Sequence, residues 1–250
     1  MSHSIEYNIG RYRLTINFWF LILFLLVQTG LNELGFWQIE RAKQKQAFLD
    51  KVNRSSEYTN IDFNAVSAPD IQNYKHVKLE AFTDLNQSIL VENVIQNGKL
   101  GYQVLQLVTE KQSQKRLLIN RGWIAGRANR SDIPSVDAAP YDWSISGRLS
   151  PIHQQLLSGK AELEIYPRLV RVPVLDLSIV SQLEKQFRVS IEPYVIRLDE
   201  NTQGHFDVLW NWVSMSPEKH LGYAFQWFGL SFAFLIASLF ALIKKNKNKL

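Results

Sequence analysis

The sequence predicts an α+β membrane protein, with two transmembrane helices, one near each end, flanking one mainly antiparallel β domain that carries a small helix. Two observations define the helices. Leu14 to Asn32 and Leu221 to Ile243 run for 19 and 23 residues without a charge. Each is about long enough to cross some 30 Å of hydrocarbon as an α-helix. A third observation defines the domain between them. Short runs rich in Val, Ile, Leu and Tyr recur from about Tyr74 to Glu200, separated by turn residues, as in antiparallel sheets.

Taken in order, residues 1–13 are expected to be a short polar tail and 14–36 the first span. No A-x-A-like cleavage site follows the apolar run, and the helical pattern continues through ELGFWQIERAKQKQAFLDKV. An uncleaved helix that projects from the membrane, with Trp37 near the interface, therefore fits better than a secretory signal. Residues 37–215 form the extramembrane domain. Its candidate strands are Lys75–Phe82, Ser88–Ile95, Gly101–Thr109, Lys115–Trp123, Trp143–Leu149 and Pro193–Leu198. Asn97-Gly98 is a strong hairpin signal between the second and third, and 124–141 read as loop. Asp176 is placed to cap a helix whose apolar stripe is Ile179, Val180, Leu183 and Phe187. Residues 216–243 form the second span. Ser216 suits the N-cap and Pro217 the first turn, and Lys244 and Lys245 begin the basic tail, residues 244–250.

The net charge of +5 and the pI near 9.3 do not point to nucleic acid. Four lysines lie in the terminal KKNKNK run, and no basic stripe with interleaved aromatics would track a phosphate backbone. With no cysteine, thiolate metal sites, disulfides and Cys nucleophiles are excluded. The tails and the loop flanks each carry six Lys/Arg: Arg11, Arg13 and four terminal lysines against Arg41, Lys43, Lys45, Lys51, Arg54 and Lys219. Local charge is balanced, and a loop of about 180 residues translocates largely regardless of charge. Both tails are therefore expected in the cytoplasm and the domain outside.

Three features invite a functional reading, each beside a plainer one. The five histidines (His3, His76, His153, His205, His220) show no metal-ligand spacing. There is no Gly-rich phosphate loop, no G-x-S-x-G elbow and no acid/base carboxylate pair, so an enzyme is not expected. In Asn120-Arg121-Gly122-Trp123-Ile124, Gly122 reads either as a strand bulge above Trp123 or as part of an Arg site for a carboxylate. His220, at the start of the second span, reads either as a solvated interfacial side chain or as an axial ligand to haem iron. Ligation needs a neutral imidazole, which a helix N-terminus and partial burial both favour. Ala224 leaves room one turn on, and Tyr223 and Trp227 flank an apolar face. The opposite side carries Gly229, Ala233, Ala237 and Ala241, which read either as a chance enrichment of small residues in a membrane helix or as a face against which the first span or a partner helix docks.

Together these stretches resemble the SURF1 family. The resemblance rests on Gly35-Phe36-Trp37-Gln38-Ile39-Glu40-Arg41, on Asn120-Arg121-Gly122-Trp123-Ile124, and on His220-Leu221-Gly222-Tyr223-Ala224-Phe225-Gln226-Trp227-Phe228, in that order within a two-span frame. It implies a non-catalytic assembly factor for haem-copper terminal oxidases (cytochrome c oxidase), in the bacterial inner membrane with the domain periplasmic. It also implies haem a as a transient ligand, with oxidase subunit I and the haem a synthesis machinery as partners. The family's proposed haem-ligand histidine corresponds to His220; Tyr223 and Trp227 would wall the macrocycle, and Arg41 or Arg121 would pair with propionates. The alternative is a structural scaffold that stabilises an assembly intermediate without haem. Ala125 stands where a Pro is common in the family, a difference expected to affect a turn.

Overall fold

The computed structural model describes residues 4–9, 12–54, 58–59, 63–127, 129, 131–153, 162–210 and 212–245. In chain order the elements are β1 (Ser4–Ile9), β2 (Tyr12–Asn17), α1 (Phe18–Arg54), β3 (Tyr58–Thr59), α2 (Ala68–Gln72), β4 (His76–Gln96), β5 (Lys99–Glu110) and β6 (Arg116–Ala125). They continue with β7 (Asp142–Pro151), β8 (Glu164–Tyr166), β9 (Leu169–Val172), α3 (Leu177–Phe187), β10 (Tyr194–Leu198), α4 (Pro217–Leu242) and β11 (Ile243–Lys245). The chain divides into two units, Met1–Asp50 with Trp212–Leu250, and Lys51–Asn211.

The first unit is a helix pair closed by a small sheet. Leu14 to Asn17, expected inside the span, belong to β2. The helix begins only at Phe18 because the Asn17 side chain caps it, Oδ1 accepting from Trp19 N at 2.9 Å. The polar tail expected over residues 1–13 contains β1, which pairs with β2, and β11 pairs with β2 from its other side. His3, Arg11, Lys247 and Lys249 lie outside the described residues.

The two apolar helices are long enough to cross a membrane, and their most apolar windows are only 6% and 11% buried. Core helices of a soluble protein would be mostly buried, so this exposure points to membrane association. Trp19 and Trp37 are both exposed on α1, and 18 residues of helix between them rise about 27 Å, the thickness of a bilayer core. Contacts between α1 and α4 recur from Phe24 to Gln38 of α1. Phe24 stacks on Phe234 with ring centroids 5.6 Å apart, and Phe36 meets Phe228 edge-on at 5.2 Å. Gln28 Nε2 donates to Ser231 Oγ at 2.5 Å, and Ser231 Oγ donates to Asn32 Oδ1 at 2.8 Å. The face of α4 turned to α1 therefore carries Ala224, Phe228 and Ser231. Gly229, Ala233, Ala237 and Ala241 are exposed, so the first span does not dock on the small-residue stripe. Hydrogen bonds and ring contacts fix the packing face instead.

The second unit is built on an eight-stranded sheet in the order β5-β6-β10-β7-β4-β9-β8, with β3 against β4. A further β4–β5 pairing closes β4, β5, β6, β10 and β7 into a ring. All pairings around the ring are antiparallel except β6 with β10. The strands expected at Lys75–Phe82 and Ser88–Ile95 are one strand, β4, with register shifts at Thr83/Ser88 and Val91/Val94. One buried cluster takes side chains from all five ring strands, among them Leu79, Val108, Ile119, Ile145 and Ile196, and so fills the ring. A second joins Leu105, Leu107, Leu118 and Val195 to α3 and β9 on the ring's other surface. Asp176 caps α3, accepting from Ile179 N at 2.9 Å, and Ile179, Val180 and Leu183 are buried as the stripe requires.

Candidate functional site

His220 lies in the first turn of α4, after Pro217 and the N-cap Ser216. It is buried at 8% exposure, among the side chains of the helix pair rather than on its outer surface. Its Nδ1 stands 2.7 Å from Gln38 Oε1 on α1, 182 residues away in sequence. A carbonyl oxygen has lone pairs only, so the ring nitrogen facing it carries the hydrogen. The ring's other nitrogen, Nε2, has no partner among the described residues.

The approach of the helices here depends on Gly35. A Cβ at that position would lie 2.6–2.9 Å from three ring carbons of Phe228, inside van der Waals contact. Gly35 and Ala42 are buried and Gln38 is half-buried, so the spacing i, i+3, i+7 marks the inner stripe of α1. Tyr223 is exposed and Trp227 half-buried, and Ala224 is buried between them in sequence. Arg41 is exposed, one turn beyond Gln38. Its guanidinium lies 5.6 Å from the Trp37 ring centroid and donates to Gln44 Oε1 at 3.0 Å.

Arg121 belongs to the other unit and is 1% exposed. Its Nε donates to Gly204 O at 2.8 Å and Nη1 to Asp137 O at 2.9 Å, and its guanidinium lies 4.5 Å from the Phe206 ring centroid. Burial lowers its pKa to about 10, against the opposing pull of Asp137. With two loop carbonyls already on its guanidinium, Arg121 staples residues 137 and 204 to β6. Gly122 follows at φ +115, and Trp123 Nε1 donates to Val94 O at 2.9 Å. The motif thus has the geometry of the structural reading. Of the other histidines, His76 Nε2 faces Asp199 Oδ2 at 2.5 Å, and His153 and His205 are exposed.

The structure therefore brings His220, Tyr223, Trp227 and Arg41 into one unit and leaves Arg121 in the other. The residue that the sequence reading missed is Gln38. Its sequence signals are its place in the Gly35–Arg41 stretch and on the Gly35–Ala42 stripe, neither of which names a partner. The donor chemistry fits a metalloporphyrin with a single protein ligand. A metal-bound histidine characteristically donates its second ring N–H to a fixed acceptor, and His220 has that acceptor.

Fold and site together define a two-helix, membrane-associated protein that carries a closed β domain and one anchored histidine at a helix start. The chain belongs to the SURF1 family, whose model matches residues 25–232. It is 27% identical over 240 residues to a SURF1-like protein of Rickettsia felis, covering 90% of this chain and 96% of that one. It is 26% identical over 241 residues to a SURF1-like protein of Rickettsia prowazekii, covering 93% and 91%.

Proposed function

We propose that this chain is a non-catalytic assembly factor for a haem-copper terminal oxidase, which takes haem a as cargo and passes it to the nascent subunit I. Membership of the SURF1 family supports the oxidase role. The single observation that carries the haem reading is the His220–Gln38 pair at 2.7 Å, which engages Nδ1 and leaves Nε2 without a partner among the described residues. A bound haem would offer iron as a Lewis acid to that nitrogen.

The chain's own residues supply the rest. His220 gives the ligand, and Trp227 and Tyr223 give aromatic surface on the same helix. Arg41 gives a cation for a propionate, already oriented by Trp37 and Gln44. A site at the level of Trp37 lets an isoprenoid tail stay in lipid while carboxylates meet water. Arg121 serves the domain, not the cargo. In this reading the protein sits in the bacterial inner membrane, both tails cytoplasmic and the β domain periplasmic, next to the machinery that makes haem a. A reporter fused after Leu250 is then active only in the cytoplasm, and one inserted near Asn129 only outside.

Burial of His220 favours a second reading, in which the His220–Gln38 pair clasps the helices and the protein is a scaffold without haem. The visible spectrum of the full-length protein, purified from cells that make haem a, separates the two. Cargo binding gives a Soret band in proportion to protein, and a scaffold gives none.

A further inference from the structure

We infer that Gln38 is a positioning residue for His220: it fixes the tautomer and heading of the imidazole so that Nε2 is the nitrogen offered to iron. The last step rests on the haem reading above; control of the tautomer does not.

Three observations carry the inference. First, Gln38 Oε1 lies 2.7 Å from Nδ1, and an oxygen in that place accepts from an Nδ1–H ring. Second, the residue's place on the helix is set. Gln38 lies on the inner stripe of α1 between the buried Gly35 and Ala42, and Gly35 seats the Phe228 ring of α4. The Gly35–Phe228 seat and the Gln38–His220 contact thus lie within one turn of each other on α1. Third, the acceptor is neutral. A carboxylate in the same place would stabilise the imidazolium, and a proton would then compete with a metal for the ring. A glutamine fixes the ring without that competition. His220 and Gln38 have complementary tasks: one supplies the lone pair, the other decides which nitrogen has it.

The test uses full-length protein in nanodiscs, with Gln38→Met, which keeps length and removes the acceptor, and Gln38→Glu, which keeps the acceptor and adds charge. Nitrogen-15 NMR of histidine-labelled protein without haem reads the tautomer, the His220 signals being those lost in His220→Ala. The wild type is expected as Nδ1–H, with Gln38→Met moved to a mixture or to Nε2–H, and Gln38→Glu kept as Nδ1–H or converted to the doubly protonated ring. Loading with haem a then gives an iron–histidine stretch in the Raman spectrum. That stretch is expected to weaken or split in Gln38→Met, with haem released several-fold faster. In Gln38→Glu it is expected at higher frequency than in wild type.

An Nε2–H ring in the wild type, or an Nδ1–H ring unchanged in Gln38→Met, overturns the inference whether or not haem binds. Equal haem retention and an unchanged stretch in folded Gln38→Met reduce Gln38 to a helix clasp and also overturn it. If the tautomer responds as expected but wild type binds no haem, the haem reading fails, and the role toward iron fails with it, while tautomer control stands.

Discussion

Replacing Gly122 by valine tests how the Arg121-Gly122-Trp123 stretch works. The backbone at Gly122 has φ +115, a region where a β-branched residue costs about 1–3 kcal/mol. A Cβ there would lie 2.7 Å from Asp207 O and 3.1 Å from Phe206 C, both backbone atoms that cannot rotate away. The segment at 206–207 must therefore retreat. It is held by Phe206 N to Arg121 O at 2.6 Å, Trp123 N to Asp207 O at 2.7 Å and Asp207 N to Trp123 O at 3.2 Å. Weakening two of these costs about 1 kcal/mol each, for a total of roughly 3–5 kcal/mol. For a domain of this size that is a fall in Tm of about 10 °C. Near-ultraviolet circular dichroism during heating of the purified full-length protein reads it through the domain's tryptophans. A Gly122→Val protein within 1–2 °C of wild type, with only haem occupancy reduced, would refute the structural account and move the motif into the site.

Asp176→Ala removes a buried cap from α3 and should cost about 1–2 kcal/mol, read as an earlier denaturant midpoint at unchanged slope. Gly35→Val should spread the helix pair at Phe228. In this cysteine-free chain, an engineered Gln28→Cys and Ser231→Cys pair should then cross-link much less than it does with Gly35 intact. Lys75 and Ser67 hold the Asp70 carboxyl down at about 2, from 3.8. A carboxylate depressed on folding stabilises above its unfolded pKa and loses that contribution as pH falls through the folded one. Stability measured against Asp70→Asn should therefore show an advantage for wild type that is complete above about pH 4 and shrinks towards pH 2.

Much of the fold was legible because its signals are local. The uncharged runs, the Asn97-Gly98 turn, and Asp176 before Ile179, Val180 and Leu183 each declare an element within a few residues. The misses arise where local signals conflict with partners far away. Thr83 to Gln87 break the apolar alternation, so β4 reads as two strands; but Asp84 bonds Thr109 and takes Arg116 Nε at 3.0 Å, which carries the strand through the irregularity. The short β8 and β9 are tied by Glu164 and Arg171, a charged pair that looks like loop. β1 and β2 pair with each other in a stretch that reads as a polar tail, and β11 joins them from the chain's other end. At the site, His220 was legible as a lone histidine at a helix start. Gln38 was not, since a glutamine on an apolar stripe signals a partner without naming it.

Whether His220 holds the iron is decided by the Soret band of His220→Ala. Wild type and variant are purified from the same haem a-producing cells and matched for folded, membrane-inserted protein. The account predicts a band lost or sharply shifted in the variant, with oxidase activity reduced and the level of this protein unchanged. An unchanged Soret band in well-folded His220→Ala would contradict it and place the ligand elsewhere.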